Sequence, residues 1–118
     1  MPDRSDPATE TAIALPHGIS VDRQQLVDLC DRWKITELQL FGSILRDDFR
    51  PDSDIDLLVT WHDSHRWSLF DFVDMHDDFA ALFQRRVDLV SKEAIETSDN
   101  YLRRAAILDG AQPFYPQP

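Results

Sequence analysis

Apolar residues first recur at helical spacing between Ser20 and Trp33, where Leu26, Leu29, Cys30 and Trp33 fall at i, i+3, i+4 and i+7. Ser20 is placed to cap that helix. Leu38 to Phe41 (LQLF) then reads as a short strand halted by Gly42, and Ser43 to Phe49 as a short helix stopped by Pro51. Asp54 to Thr60 (DIDLLVT) has the apolar run of a buried strand behind a charged start. Ser68 opens a second amphipathic helix, with Leu69, Phe72, Val73, His76, Phe79 and Phe83 along one face and Asp71, Asp74, Asp77 and Asp78 in solvent. Val87 to Val90 (VDLV) is a third strand, Ser91 caps one helical turn, and Ser98 caps a last helix from Asp99 to Leu108 with Gly110 as its stop. The order predicts an α/β sandwich around a small sheet. Residues 1–18, with Pro2, Pro7, Pro16 and Gly18, read as a flexible leader, 19–112 as the folded domain, and 113–118 as an irregular, proline-rich tail.

Composition narrows the function classes. Twelve Lys and Arg stand against 22 Asp and Glu, a net charge of −10, which argues against a protein that tracks nucleic-acid backbone. A single cysteine, Cys30, excludes an internal disulfide and a Cys-based zinc site. No apolar run approaches the roughly 18 residues that span a bilayer. The polar start MPDRSDPATE resembles neither a signal nor a transit peptide, so a cytoplasmic domain with no membrane or direct nucleic-acid contact is expected. The acidic residues are 18 Asp and only four Glu, a bias toward caps, turns and metal ligands.

One cluster of these aspartates carries a specific pattern. Gly42-Ser43 is followed after ten residues by Asp54-Ile55-Asp56. On a strand, residues two apart share a face, so Asp54 and Asp56 are expected to point the same way. Two such carboxylates repel by about 1 kcal/mol in water and about 4 kcal/mol at a partly buried site, unless a cation lies between them. Oxygen-only donors favour a hard ion, Mg²⁺ or Mn²⁺, and Asp88 on the next strand is the natural third ligand. Three carboxylates can hold two ions about 3.5–4 Å apart, an arrangement suited to in-line displacement at phosphorus. Gly42 permits a tight strand-to-helix turn, and Ser43 at the start of the short helix offers a hydroxyl and free N–H groups to the outer phosphates of a nucleoside triphosphate.

FGSILRDDFRPDSDIDLLV followed by RRVDLV resembles the minimal nucleotidyltransferases of the DNA polymerase β superfamily, whose signature is GS, ten residues, DxD and a later Asp. The resemblance covers roughly residues 19–115. It implies a polymerase-β-like α+β fold, a small mixed sheet of three or more strands flanked by helices. It also implies that Asp54, Asp56 and Asp88 bind two Mg²⁺ ions, that Asp88 activates the attacking hydroxyl, and that Gly42, Ser43 and Arg46 bind the nucleotide. Asp47 stands where many relatives carry Gly. By the same resemblance, chains of this size are antitoxins that transfer AMP from ATP to a tyrosine of a HEPN-domain ribonuclease toxin encoded by the neighbouring gene. Two rival readings are an idle antitoxin that occludes its toxin by binding, and a nucleotidyltransferase acting on a small molecule. His62, Asp63 and His65 lie in a polar loop without a third ligand and read as loop, His76 as a satisfied core or interface histidine, and Phe70, Phe72, Phe79 and Phe83 as core.

Overall fold

The computed structural model describes residues 12–63 and 66–116. Its centre is a four-stranded sheet in the order β5-β4-β3-β6, made of β3 (Ile35–Phe41), β4 (Ile55–Trp61), β5 (Val87–Ser91) and β6 (Gln112–Tyr115). β3 pairs antiparallel with both β4 and β6, whereas β4 and β5 run parallel, so the sheet is mixed. The parallel pair needs a crossover, and α2 (Leu69–Phe83) supplies it. Alternation along β4 sends Ile55, Leu57 and Val59 into the main core, where they meet Leu26 and Cys30 of α1 (Arg23–Arg32) and Met75 and Phe79 of α2. Asp56 and Leu58 take the other face. α3 (Lys92–Glu96) and α4 (Tyr101–Gly110) follow β5, and Ile95 of α3 is buried.

Local chemistry fixes the helix ends. Ser68 Oγ accepts from Asp71 N at 3.1 Å while Asp71 Oδ2 accepts from Ser68 N at 3.0 Å, a reciprocal capping box that starts α2 as the sequence predicts. Ser91 caps α3 through Ala94 N, also as predicted. The other two predicted caps move. Asp22, not Ser20, accepts from Gln25 N to start α1, and Asn100, not Ser98, accepts from Arg103 N to start α4. Gly110 ends inside α4 rather than stopping it.

Both predicted domain boundaries need correction. Of the expected leader 1–18, residues 12–18 are folded: β1 (Ala12–Ala14) pairs antiparallel with β2 (Ser20–Asp22), and Ile13 and Leu15 lie in the core. The hairpin keeps the chain extended through Asp22, so the helix starts only at Arg23 and the residue before it, Asp22, is the cap. The expected tail 113–118 also fails for 113–115, because β6 adds to the free side of β3 and buries Phe114. Proline 113 is tolerated there because β6 is an edge strand, where a missing N–H costs no ladder bond. The remainder of the leader, residues 1–11, the end of the tail and His65 of the polar loop lie outside the described residues. The aromatic stripe divides: Phe79 and Phe83 are buried, while Phe70 is 83% exposed. Phe114→Ala is expected to lower unfolding free energy by about 3 kcal/mol, the usual cost of emptying a phenylalanine site. A urea melt checks it, and an unaltered midpoint would return the tail to a passive role.

Candidate active site

The Gly42-Ser43 turn follows directly from β3, and its backbone is what the sequence demands of a glycine. Gly42 has φ +78°, a left-handed conformation that residues with a Cβ rarely adopt. A Cβ built there would also run into the Asp56 carboxylate. The predicted short helix over 43–49 is reduced to a single 3-10 turn, Gly42–Leu45, closed by Arg46 N donating to Ser43 O at 2.9 Å. Four residues make no appreciable helix dipole for an anion to use. The Ser43 N–H in fact donates to the Asp56 carboxylate.

Asp56 and Asp88 are direct register partners on the parallel strands β4 and β5, which places both on the same face. Asp54 lies one residue before β4, whose ladder opens with Ile55 N donating to Arg86 O at 3.0 Å. Burial, then the charges of Asp88 and Asp54, push the Asp56 carboxyl above the ordinary carboxylate range, against the pull of the Ser43 N–H and Arg46. The three acids therefore share one electrostatic neighbourhood. They are not drawn into a finished cage: among the described residues no three His, Cys, Asp or Glu side chains converge at ion-holding distance. Two forces hold them apart. Like charges repel, and Arg86 Nε pulls Asp54 Oδ1 aside at 3.0 Å. Asp54 Oδ1 makes no hydrogen bond beyond this ion pair. An ion-paired carboxylate, a carboxyl strained by its neighbours and a third acid on the adjoining strand are a donor set that fits Mg²⁺.

Arg46, the remaining predicted residue, lies close enough to Asp56 to act on its charge, while its Nε faces Asp48 Oδ1 at 3.3 Å on the surface. Two supports were not legible in the sequence. Arg85 donates to Pro51 O at 2.7 Å and Ser53 O at 3.3 Å, and its guanidinium lies 4.9 Å from the Phe49 ring centre. It thereby straps the loop between Ser43 and Asp54 to the start of β5. His17 of the N-terminal hairpin stacks on the other partner, Phe49, at 4.8 Å. The basic pair Arg85-Arg86 ahead of VDLV was the available signal. A groove of about 440 Å³ between α1 and α2 contains none of the predicted residues, so the candidate chemistry lies on the strand ends and not in that cleft.

Comparison with known proteins decides the family. The nucleotidyltransferase domain profile matches residues 23–110, three quarters of the chain, and spans Gly42, Ser43 and all three aspartates. The protein adenylyltransferase MntA of Thermococcus cleftensis is 34% identical over 70 residues, covering 59% of this chain and 69% of that one. This chain belongs to the minimal nucleotidyltransferases. A solved minimal nucleotidyltransferase superposes on this nucleotidyltransferase with a TM-score of 0.58 at 32% identity, over 77% of this chain and 87% of the other. A toxin–antitoxin structure with AMP-PNP shares the fold at a TM-score of 0.57 and 20% identity, over 76% and 69% of the two chains.

Proposed function

We propose that this nucleotidyltransferase is the antitoxin of a toxin–antitoxin pair, transferring AMP from ATP to a tyrosine of a HEPN-domain ribonuclease toxin encoded beside it. The observation that carries the reading is the register pairing of Asp56 with Asp88 against the Gly42-Ser43 turn, within a segment related to protein adenylyltransferase MntA. Leu69, Phe70 and Val73 on α2 and Tyr101 and Leu102 on α4 are exposed, which favours a protein acceptor over a small one.

Asp54, Asp56 and Asp88 would hold Mg²⁺, whose charge would polarise the phosphate and offset the charge building on the leaving group. Ser43 Oγ and Arg46 would receive the outer phosphates, beside Gly42, whose missing Cβ lets the chain approach. Asp88, exposed at the edge strand, takes the proton of the attacking phenol, which ionises near pH 10 on its own and needs a base at neutral pH. The phenol oxygen bonds to the α-phosphorus as the bond to the bridging oxygen breaks, and pyrophosphate leaves past Ser43.

The test is incubation with α-labelled ATP, Mg²⁺ and the purified product of the adjacent gene. Label is expected on a tyrosine of that protein and is expected to vanish in the Asp54→Asn, Asp56→Asn double variant. Equal labelling by the double variant would overturn the reading. Rescue of growth by the double variant without any labelling would favour occlusion instead.

A further inference from the structure

We propose that His76 is a positioning residue for Asp88, acting through the backbone of β5. The inference rests on Asp88 being part of the site described above. β5 is an edge strand with a single neighbour. In its parallel ladder the Arg86 carbonyl faces β4, so the Asp88 peptide groups face β4 as well and the Leu89 N–H points out to the free edge. A buried, unpaired N–H there would be costly. His76, two turns into α2, fills the vacancy: its Nε2 accepts from Leu89 N at 3.2 Å. Its other nitrogen, Nδ1, lies 3.1 Å from Phe72 O, a carbonyl that can only accept. Both bonds form together in one state alone, the neutral ring with its proton on Nδ1. The Phe72 ring packs against the imidazole in a T-shaped contact, with ring centres 5.1 Å apart.

The consequence falls on the adjoining residue. Among the described residues the Asp88 side chain forms no hydrogen bond or ion pair and meets only the like charge of Asp56, so the backbone of β5 is what aims its Cα–Cβ bond at the shared face. That backbone is held on one side by β4 and on the other by the His76 bond to the next amide. Without the bond, the edge strand gains freedom at the point where Asp88 must face Asp56. His76 touches neither metal ligand nor substrate; its effect passes through Leu89.

The experiment compares His76→Phe, which keeps a ring but no acceptor, with His76→Gln, whose Oε1 reaches the Nε2 position. Asp88→Asn serves as control. Mn²⁺ binding is titrated by electron paramagnetic resonance, and amide exchange at Leu89 is read by NMR on the same samples, after melts confirm folding. His76→Phe is expected to weaken Mn²⁺ binding about tenfold or more, in the range found for residues that orient metal ligands, and to speed Leu89 exchange. In the transfer reaction kcat should fall by a similar factor while KM for ATP moves less than about twofold. His76→Gln should restore all three to within about threefold. Four results would overturn the inference. One is a folded His76→Phe that binds Mn²⁺ normally where Asp88→Asn does not; another is Leu89 exchange unchanged in His76→Phe. A third is equal impairment in Phe and Gln, which would reduce His76 to packing. The fourth is normal Mn²⁺ binding in Asp88→Asn itself, which would remove Asp88 from the metal site and this inference with it.

Discussion

Asp56→Asn is expected to abolish nucleotidyl transfer and, in the absence of metal, to make the fold more stable. The Asp56 carboxyl is raised by burial first and by the charges of Asp88 and Asp54 after it. A folded value above the unfolded one means that the native state holds the proton more tightly. The stability this group contributes is therefore complete at acid pH, below the ordinary carboxylate value, and is lost as pH rises through the raised one. At pH 7 the charged Asp56 opposes folding, and asparagine removes that charge while keeping an oxygen for the Ser43 N–H. Solvent reaches the site and screens the repulsion, so the gain is about 1 kcal/mol at most, or a rise in Tm of no more than about 4 °C. Below about pH 4 the two proteins should melt together. Saturating Mg²⁺ should invert the order at pH 7, because only the wild type gains from binding. Transfer should fall by at least about 10²–10³-fold, the scale of removing one electrostatic stabiliser of a transition state. Melts of both proteins with and without Mg²⁺ decide it. A metal-free Asp56→Asn protein that melts below wild type at pH 7 would show that the three carboxylates do not strain the fold.

The nearness of these acids was legible before the rest of the fold was. The strand signals put Gly42, Ser43, Asp54, Asp56 and Asp88 on neighbouring elements, and the structure sets Asp56 opposite Asp88 and against Gly42. α2 was readable for a different reason: its capping box and apolar stripe agree with each other over 15 residues. The misread parts lack such agreement. β1 and β2 are three residues each, too short to show alternation, and are held by pairing with one another and by burial of Ile13 and Val21. β6 contains Pro113, which reads as a breaker along the chain and is harmless on an edge. The 43–49 segment reads as helix by length, but Arg46 turns extended at ψ 159° and the loop after it is held by Arg85, more than 30 residues away. Long-range partners of that kind leave no local trace. Arg86 beside Asp54 and His76 beside Leu89 are the same case: the residues were in view, their partners were not.

Gly42→Ala should separate the two burdens that this turn carries, backbone strain and crowding. Alanine at φ +78° costs about 1–3 kcal/mol from conformation alone. Gly18 gives the reference for that part, since it has φ +74° and open space where its Cβ would be. Gly18→Ala should accordingly lose only the conformational share and keep activity within about twofold. At Gly42 the new methyl would meet Asp56 Oδ2 as well. The carboxylate cannot swing aside freely, because it accepts the Ser43 N–H and its residue is paired to Phe41 on β3 and Asp88 on β5. The turn must open or the carboxylate must leave, and either change separates Ser43 from the aspartates proposed to hold the metal. Transfer should fall about 10²-fold or more, the effect of displacing reacting groups by about an ångström. Crowding is distinguishable from strain by a double-mutant cycle on stability. An Asp56→Ala background removes the carboxylate and leaves the residue 56 Cβ at 3.4 Å, an ordinary contact, so Gly42→Ala should there cost about what Gly18→Ala does in the wild type. Strict additivity of the two substitutions would mean that the glycine serves the backbone alone, and that the closeness of turn and carboxylate has no energetic content.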